Sequence, residues 1–532
     1  MPRRTWLLAH ATLYVLAGAL SAVLADTYPR RLSARRGHFL VHTVDEGSRA
    51  ALDGPESVVV TVADGLGAEA ARHTQAVAWF RAHGRCFLTD VGSPSVSRPV
   101  YAVLSSGVEQ DRTGVRGNED DDPAPVRSVW EQAREAGWKV RVVSSLPWWK
   151  ELFPRGFDEA LELPHDANFF EQVRPHELDL LHVLYIDHAG HEQGAGSREY
   201  VAAVRRFDRE LSALIARTNL DTSLLVLTAD HGHSIIGGHG GSDPRVATVI
   251  SCFAGKNVQP DAALGTLRTT AIAPALALLT GVPFPPHMRA VDDDLDAVLT
   301  LVRADDKTRP YLEDRAQAVE AFRARNRERL AKMTGSVGSW DEFYRQRRHS
   351  QAWHWALTLA LLAVVLVATS RRLALAWALG TIAVITGAFW VTRGSFDLTA
   401  MNTGFLARTA ILWLTLGSAS ALLLSWLRGA DDALRMQAAC TVALLGVTLG
   451  HIAVYGLILG FPIPPPPLLF MPYFTTVALV AQSAIGLGTV AFLAARLAAR
   501  PAAARPPSAP GRDPSEADDD GEDPADEGES SD

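Results

Sequence analysis

The sequence predicts an α/β domain with a mostly parallel sheet, attached to an α-helical transmembrane bundle. Two observations predict the domain: short apolar runs of the length of buried strands, and helical segments that alternate with these runs along the chain. A third observation predicts the bundle. Several apolar runs outside the domain are long enough to cross a bilayer, and the whole chain has a positive mean hydropathy of +0.05.

Composition divides the chain into four parts. They are an apolar N-terminal segment, a polar domain, a transmembrane region of five helices and an acidic tail, at residues 1–26, 27–350, 351–500 and 501–532. The first part opens with Arg3-Arg4 before its apolar run, a pattern typical of exported chains. Its length favours an uncleaved anchor, although Val23-Leu24-Ala25 would also allow cleavage.

The charge pattern predicts how the chain crosses the membrane. The five C-terminal spans are predicted near residues 354–370, 373–392, 406–427, 436–459 and 471–495. Arginines mark alternate loops as cytoplasmic, so we expect an integral protein of the plasma or inner membrane. Both termini then lie in the cytoplasm and the polar domain lies outside.

The net charge of −8 comes from the tail. From Asp513 onward there are 11 acidic residues and no basic ones. Removing these 11 from the 59 acidic residues leaves 48, against 51 Lys and Arg, so the rest of the chain is nearly neutral. A nucleic-acid partner is therefore not expected, and the tail is predicted to be disordered and solvated.

Within the polar domain, the predicted strand ends carry acidic residues. Strands are predicted near residues 58–63, 140–143, 180–186 and 224–227, and helices near 69–81, 126–136 and 197–216. Asp64, Asp187 and Asp230 each follow a strand. Because active groups of α/β proteins collect beyond the carboxyl ends of the strands, these residues are candidates for one site.

The stretch 224–241 carries the strongest chemical signal. Asp230 and His231 follow an apolar strand, and His239 lies in a glycine-rich turn that can fold tightly. One carboxylate and two imidazoles are ligands typical of zinc. Asp187 and His191, four residues apart with Gly190 between them, could converge on a cation as well. A histidine-rich solvated turn is the alternative, as is a simple turn at Asp64.

Two further residues could handle a phosphoryl group. Ser97 precedes Pro99, which suits the first turn of a helix, where an anion is favoured and a hydroxyl could act as nucleophile. Asn118 follows Gly117 and could donate to a phosphate oxygen. The plainer alternatives are a serine helix cap for Ser97 and a turn residue for Asn118.

Three cysteines exclude a disulfide framework and a CxxC metal site. Cys86 and Cys252 could pair if the domain faces an oxidising space, or they could be two buried thiols. Cys440 lies in an apolar run.

The order of five motifs carries a resemblance. The motifs are VADG, PSVSRP, GVRGN, DHAGH and DHGHSIIGGHGG, between about residues 56 and 245. In this order they resemble the alkaline phosphatase superfamily, in the branch of nucleotide pyrophosphatase/phosphodiesterases and GPI ethanolamine phosphate transferases. The sulfatases of this superfamily need a C/S-x-P-x-R element, which Ser97-Arg98-Pro99 does not fit.

The resemblance implies an alkaline phosphatase-like domain with two divalent metal ions, expected to be zinc. It implies that one ion is held by Asp64, Ser97, Asp230 and His231, and the second by Asp187, His191 and His239. It further implies that Ser97 is the nucleophile and that Asn118 helps to hold the phosphoryl group.

We therefore expect a membrane-bound enzyme that acts on phosphodiesters through a phosphoserine intermediate, with a lipid head group as substrate. A phosphoethanolamine-type transferase is favoured slightly over a membrane-anchored phosphodiesterase, because five extra spans can present a lipid beside the site. A transporter or scaffold with a vestigial domain is a third reading. The near absence of charged residues within the predicted spans speaks against it. The oligomeric state is left open.

Overall fold

The computed structural model describes three main segments of the chain. These are residues 3–33, residues 50–334 without 93, 116, 119–121, 236, 241–242 and 289–291, and residues 466–499, with six single positions between 434 and 445. The predicted spans near 354–370, 373–392 and 406–427, nearly all of the span near 436–459, and the acidic tail lie outside the described residues.

One mixed sheet organises the polar domain. Its strands are β1 Ser57–Ala63, β2 Gly84–Asp90, β3 Val140–Ser144, β4 Glu159–Glu162, β5 Leu178–Val183, β6 Ser223–Thr228, β7 Thr248–Gly255 and β8 Asp261–Arg268. Their order across the sheet is β4-β3-β5-β1-β6-β7-β2-β8. Only β7 runs antiparallel to its neighbours β6 and β2 among these described strands. The predicted mostly parallel sheet is confirmed.

Helices cover both faces of this sheet. In chain order the helices are α1 Arg3–Ser33, α2 Ala68–Ala71, α3 Gln75–His83, α4 Ser97–Ser106, α5 Gln110–Thr113, α6 Val129–Glu135, α7 Trp148–Leu152, α8 Tyr185–Gln193, α9 Arg198–Arg217, α10 Pro244–Ala247, α11 Ile272–Thr280, α12 Asp292–Leu299, α13 Arg309–Thr334 and α14 Pro466–Ala498. Alternate residues of β1 enter different cores: Val58 and Val60 pack with α4, α6 and α11, and Val59 packs with α3 and α9. The sheet is thus buried on both sides, as parallel sheets are.

Helix α9 shows how the sequence specifies this packing. Ser197 accepts a hydrogen bond from the backbone amide of Tyr200 and so caps the helix. Val204, Phe207 and Leu211 follow at helical spacing and are buried. The predicted helix over 197–216 is therefore present almost residue for residue.

Two predicted boundaries differ in the structure. The strand expected over 180–186 ends at Val183, and α8 begins at Tyr185, since a short apolar run cannot distinguish a strand from a buried helical turn. This change places Asp187 and His191 on one helix face. The helix expected over 69–81 is broken at Thr74, whose side chain accepts from the amide of Val77 and starts α3 anew.

Cys86 and Cys252 form a disulfide. They lie directly opposite each other on the antiparallel strands β2 and β7. Of the two states that the sequence left open, the structure contains the paired one.

The N-terminal helix packs against the last described helix. Gly18 of α1 lies against Ser483, and the ring of Tyr14 lies against Gly486, where a Cβ would be 2.5 Å from the ring. Leu7 packs in a cluster with residues further along α14, so the helices run antiparallel. Among the described residues, the segment Arg3–Val23 is long and apolar enough to cross a membrane. The span predicted near 471–495 is helical throughout, as part of α14.

Candidate active site

The carboxyl ends of three neighbouring strands bring the predicted site residues together. Asp64 follows β1, and Asp230 follows β6. On the other side of β1, the chain leaves β5 and enters α8, which carries Asp187. Ser97 is the first residue of α4 and is buried at the same edge.

A first cluster consists of Asp64, Ser97, Asp230 and His231. The Nε2 atom of His231 lies 3.5 Å from Asp64 Oδ1 and 3.3 Å from Asp230 Oδ2. It also lies 3.2 Å from the hydroxyl oxygen of Ser97. Three of these side chains, Asp64, Asp230 and His231, offer ligand atoms close enough to hold one metal ion.

In both carboxylates of the first cluster, Asp64 and Asp230, one oxygen has a hydrogen-bond partner within the protein. Asp64 Oδ2 lies 2.9 Å from His182 Nε2, and Asp230 Oδ1 accepts from the backbone amides of Gly65 and His231. The opposite oxygens, Asp64 Oδ1 and Asp230 Oδ2, are buried and have no hydrogen-bond partner among the described residues. Because such orphaned oxygens are costly, their convergence fits a cation.

Two residues that contact Asp64 were not predicted from the sequence. The hydroxyl of Tyr101 in α4 donates to Asp64 Oδ2. The ring of His182 in β5 reaches the same oxygen, and its Nδ1 lies 2.8 Å from the hydroxyl of Ser144. An ionisable residue inside the otherwise apolar run 180–186 was the available signal for His182. Tyr101 gave no signal beyond a helical core pattern.

A second cluster consists of Asp187, His191 and His239. Asp187 Oδ1 lies 3.4 Å from His191 Nε2 and 3.9 Å from His239 Nε2. The two imidazole nitrogens are 3.0 Å apart. The side chain of His191 is 44% exposed, so this cluster opens to solvent.

Two distances between candidate ligand atoms fit a tetrahedral zinc ion, whereas His239 lies closer to His191, at 3.0 Å, and farther from Asp187, at 3.9 Å. Atoms that lie 2.0–2.1 Å from a zinc ion in a tetrahedron are about 3.3 Å apart. The separations of 3.3 Å between Asp230 and His231, and of 3.4 Å between Asp187 and His191, agree with this value.

Backbone carbonyls orient two of the imidazoles. His231 Nδ1 lies 3.2 Å from the carbonyl oxygen of Gly232, and His239 Nδ1 lies 3.0 Å from that of Ser95. Since a carbonyl only accepts, Nδ1 carries the proton and Nε2 keeps its lone pair for the clusters. The rings of His231 and His239 stack 3.6 Å apart and link the two clusters.

Burial sets the charge state of the carboxylates. Burial, together with the charge of Asp64, raises the pKa of Asp187 to about 7 and the pKa of Asp230 well above its usual range. Burial also opposes ionisation of Asp64, but the hydrogen bond from His182 and the nearby His231 hold its pKa below the usual range. Three close carboxylates therefore favour sharing their charge with a cation.

Burial also keeps the imidazoles of His231 and His239 neutral. It lowers the pKa of His231 to about 4 and the pKa of His239 well below its usual range. A neutral imidazole is the form that binds a metal ion, so His231 and His239 can bind a cation at neutral pH.

Asn118 is held beside the nucleophile candidate. Its Oδ1 accepts a hydrogen bond of 3.0 Å from the backbone amide of Arg98, next to Ser97. Because this amide is used and Pro99 has no amide hydrogen, the first turn of α4 offers an anion fewer donors than the sequence suggested. The Nδ2 amide of Asn118 is then the donor of that side chain.

Comparison with known proteins shows which families this chain is similar to. Residues 129–240 match the family model of type I phosphodiesterase / nucleotide pyrophosphatase. The match and the curated relatives below confirm the resemblance predicted from the motifs. They support an enzyme of the phosphodiesterase and phosphotransferase class.

The curated relatives include human GPI ethanolamine phosphate transferase 3, catalytic subunit, which is 28% identical over 222 residues. That match covers 38% of this chain and 20% of the relative. GPI ethanolamine phosphate transferase 2 of Aspergillus fumigatus is 26% identical over 236 residues, covering 37% of this chain and 31% of the relative. The chain therefore matches less than a third of the length of either relative.

Solved structures show weaker likeness. Murine ectonucleotide pyrophosphatase / phosphodiesterase 5 is 13% identical with a TM-score of 0.39, covering 45% of this chain and 99% of that chain. The wild-type alkaline phosphatase PafA is 10% identical with a TM-score of 0.39, covering 48% of this chain and 100% of that chain.

Proposed function

We propose that this chain is a membrane-bound phosphotransfer enzyme that acts on phosphodiesters through a phosphoserine at Ser97. The observation that carries the proposal is the place of the Ser97 hydroxyl. It lies 3.2 Å from His231 Nε2, beside carboxylate oxygens that lack any other partner in the described chain. A hydroxyl among candidate metal ligands, beside an amide donor, suits nucleophilic attack on phosphorus.

Two divalent ions would complete this site, and its ligand types are those of zinc. The first cluster, with its oriented carboxylates, would hold one ion. The second cluster, whose ligand atoms lie 3.0–3.9 Å apart, would hold the other. When bound, such ions stabilise negative charge on the phosphoryl oxygens and lower the pKa of a neighbouring hydroxyl. Nitrogen and oxygen ligands at these spacings favour zinc over magnesium, which prefers oxygen ligands.

The chain's own residues supply the nucleophile and its position. Ser97 Oγ forms a bond to phosphorus, and the bond from phosphorus to the leaving oxygen breaks. The hydroxyl proton of Ser97 is released to solvent, and the leaving oxygen takes a proton from solvent and departs as an alcohol. Asn118 Nδ2, held in place by the bond from Arg98 to its Oδ1, donates to a non-bridging oxygen. Attack by water or by an acceptor hydroxyl on the phosphoserine then restores Ser97.

Transfer to an acceptor hydroxyl is the version we favour. The curated relatives are named as transferases of ethanolamine phosphate, and the sequence has five further apolar segments that could present a lipid. A phosphodiesterase, the activity named by the matching family model, is the second candidate. The two differ only in what attacks the phosphoserine.

The packing of α1 supports retention of this helix and a common side for both termini. Helices α1 and α14 run antiparallel with small residues at their contact, a mode that membrane helices use. An antiparallel pair places the N-terminus of α1 and the C-terminus of α14 on one side. With Arg3 and Arg4 at the start of α1, that side is the cytoplasm, and the domain lies outside.

A head-group release assay tests this function. The full chain in detergent is given phosphatidylethanolamine, with and without a lipid-linked alcohol as acceptor. We expect release of diacylglycerol that is faster with the acceptor, together with a labelled acceptor product. Release without transfer would identify a hydrolase.

The matched variants are Ser97→Ala and Ser106→Ala. Both remove a buried hydroxyl from α4, but Ser106 binds only nearby backbone at the other end of the helix. Ser97→Ala should lose at least a thousandfold in turnover, and Ser106→Ala should keep most of it. Full turnover in Ser97→Ala would refute the nucleophile assignment.

A further inference from the structure

A fourth histidine lies against the second cluster. His233 comes two residues after His231 and is almost fully buried. Its Nε2 lies 2.8 Å from Asp187 Oδ1, and its ring meets the ring of His191 edge-on at 5.0 Å. Neither the motifs nor the resemblance gave this residue a role.

The backbone of α8 is shaped around this ring. Gly190 lies between Asp187 and His191, and a Cβ at this position would be 2.3 Å from His233 Cδ2. Such a distance is far inside van der Waals contact, so any side chain at Gly190 must displace the imidazole. The glycine within the DHAGH motif is thus required by His233 in this chain.

The distances separate two possible roles for His233. Asp187, His191 and His233 are close enough to hold a metal ion together. However, the 2.8 Å between His233 Nε2 and Asp187 Oδ1 is the length of an N–H···O hydrogen bond. It is shorter than every separation among Asp187, His191 and His239, which range from 3.0 to 3.9 Å. The pair of Asp187 and His191, at 3.4 Å, has the longer separation.

We propose that His233 is a positioning residue of the second cluster, which donates its Nε2–H to Asp187 Oδ1 and aims this carboxylate at the cation. A carboxylate oxygen has a second lone pair, so Oδ1 can accept from His233 and still bind a metal ion. Partners of this kind typically raise the affinity of a site about 10–100-fold. The inference rests on the proposed two-metal function and adds a residue to it.

Zinc binding by the full chain tests this role without measuring activity. Zinc is removed with a chelator, and the affinity and number of sites are measured by calorimetry for the wild type, His233→Phe and His233→Gln. We expect His233→Phe to weaken the second zinc site about 10–100-fold. We expect His233→Gln to recover part of that loss because its amide can donate to Asp187. His188→Phe is the control, since His188 adjoins Asp187 but is exposed and faces Glu192.

Gly190 allows a second test that leaves every proposed ligand in place. Gly190→Ala should weaken the second site as His233→Phe does, because the new Cβ displaces the ring. In a His233→Ala background the ring is absent, and adding Gly190→Ala should change the affinity no further. Equal losses in both backgrounds would overturn the proposal.

The outcomes distinguish this inference from the proposed function. Two zinc ions in the wild type with unchanged affinity in His233→Phe would overturn only the role of His233. Equal failure of His233→Phe and His233→Gln, with loss of one bound ion, would make His233 a direct ligand and also overturn positioning. A wild type that binds no second ion would instead contradict the two-metal function itself.

Discussion

Lowering the pH from 8 to 6 should weaken zinc binding at the second cluster about tenfold. Burial and the charge of Asp64 raise the pKa of Asp187 to about 7. One pH unit below that value a proton occupies roughly nine tenths of these carboxyls, which costs about 1.4 kcal/mol of apparent binding free energy. At pH 8 the proton competes hardly at all. His239, with its pKa well below the usual range, stays neutral throughout and adds nothing.

The raised pKa of Asp187 also predicts how zinc affects the stability of the folded chain. A carboxyl whose pKa is raised on folding holds its proton more tightly in the folded chain than in the unfolded one. The zinc-free protein therefore loses stability as the pH rises from about 4 to 7. Bound zinc replaces that proton, so the rise in Tm caused by zinc should be larger at pH 8 than at pH 6.

Calorimetric zinc titrations of the full chain at pH 6, 7 and 8 measure this dependence. Asp187→Asn is the control, because it has no proton to release and should bind more weakly but with a smaller change over the range. Equal wild-type affinities at pH 6 and 8 would refute the reasoning. So would a full tenfold change in Asp187→Asn.

Three further predictions concern parts of the chain that support the site. Tyr101→Phe removes a charged hydrogen bond to the first cluster and should weaken its zinc binding by about 1.5–3 kcal/mol, measured by calorimetry; unchanged affinity would contradict the role. Gly486→Leu should lower the Tm of the detergent-solubilised chain, since a side chain there meets the ring of Tyr14, whereas Gly488→Leu, in open space, is the control. Replacing Cys86 and Cys252 together by alanine should cost about 2–5 kcal/mol of unfolding free energy, measured with denaturant; a change below 1 kcal/mol would count against the pairing.

The placement of the main candidate ligands could be predicted because it follows from sheet topology. Asp64 and Asp230 are the first polar residues after apolar strands that pair in parallel, so their side chains meet at one edge. The lone carboxylate in VADG was ambiguous, and only the neighbouring strand made it a candidate ligand. Ser97 was predicted from a different signal, the proline two residues after it, which marks a helix start.

The supporting residues could not be predicted because their partners are distant in sequence. His182 reads as one position of a buried strand, and its contact with Asp64 depends on the register between β1 and β5. His233 lies in the loop after β6, where the sequence gives no indication of its partner. Its contact with Asp187 depends on α8 starting at Tyr185. A strand over 180–186 would have separated Asp187 from that ring.

The charges of the site predict which phosphate esters it should prefer. Two divalent ions bound as proposed, with the carboxylates of Asp64, Asp187 and Asp230, leave one net positive charge while Ser97 keeps its proton, because an imidazole that binds a metal ion is neutral. The guanidinium of neighbouring Arg98 pairs with Glu151 and lies over Trp148, so it does not add to this charge.

A single positive charge matches the single negative charge of a phosphodiester better than the double charge of a monoester at pH 8. We therefore expect a higher kcat/KM for bis(4-nitrophenyl) phosphate than for 4-nitrophenyl phosphate, corrected for the uncatalysed rates. Arg98→Gln should leave this ratio nearly unchanged, since the side chain is engaged with Glu151. An equal or reversed preference in the wild type would show that the site carries more positive charge than these ligands allow, and the proposed pair of ions would need revision.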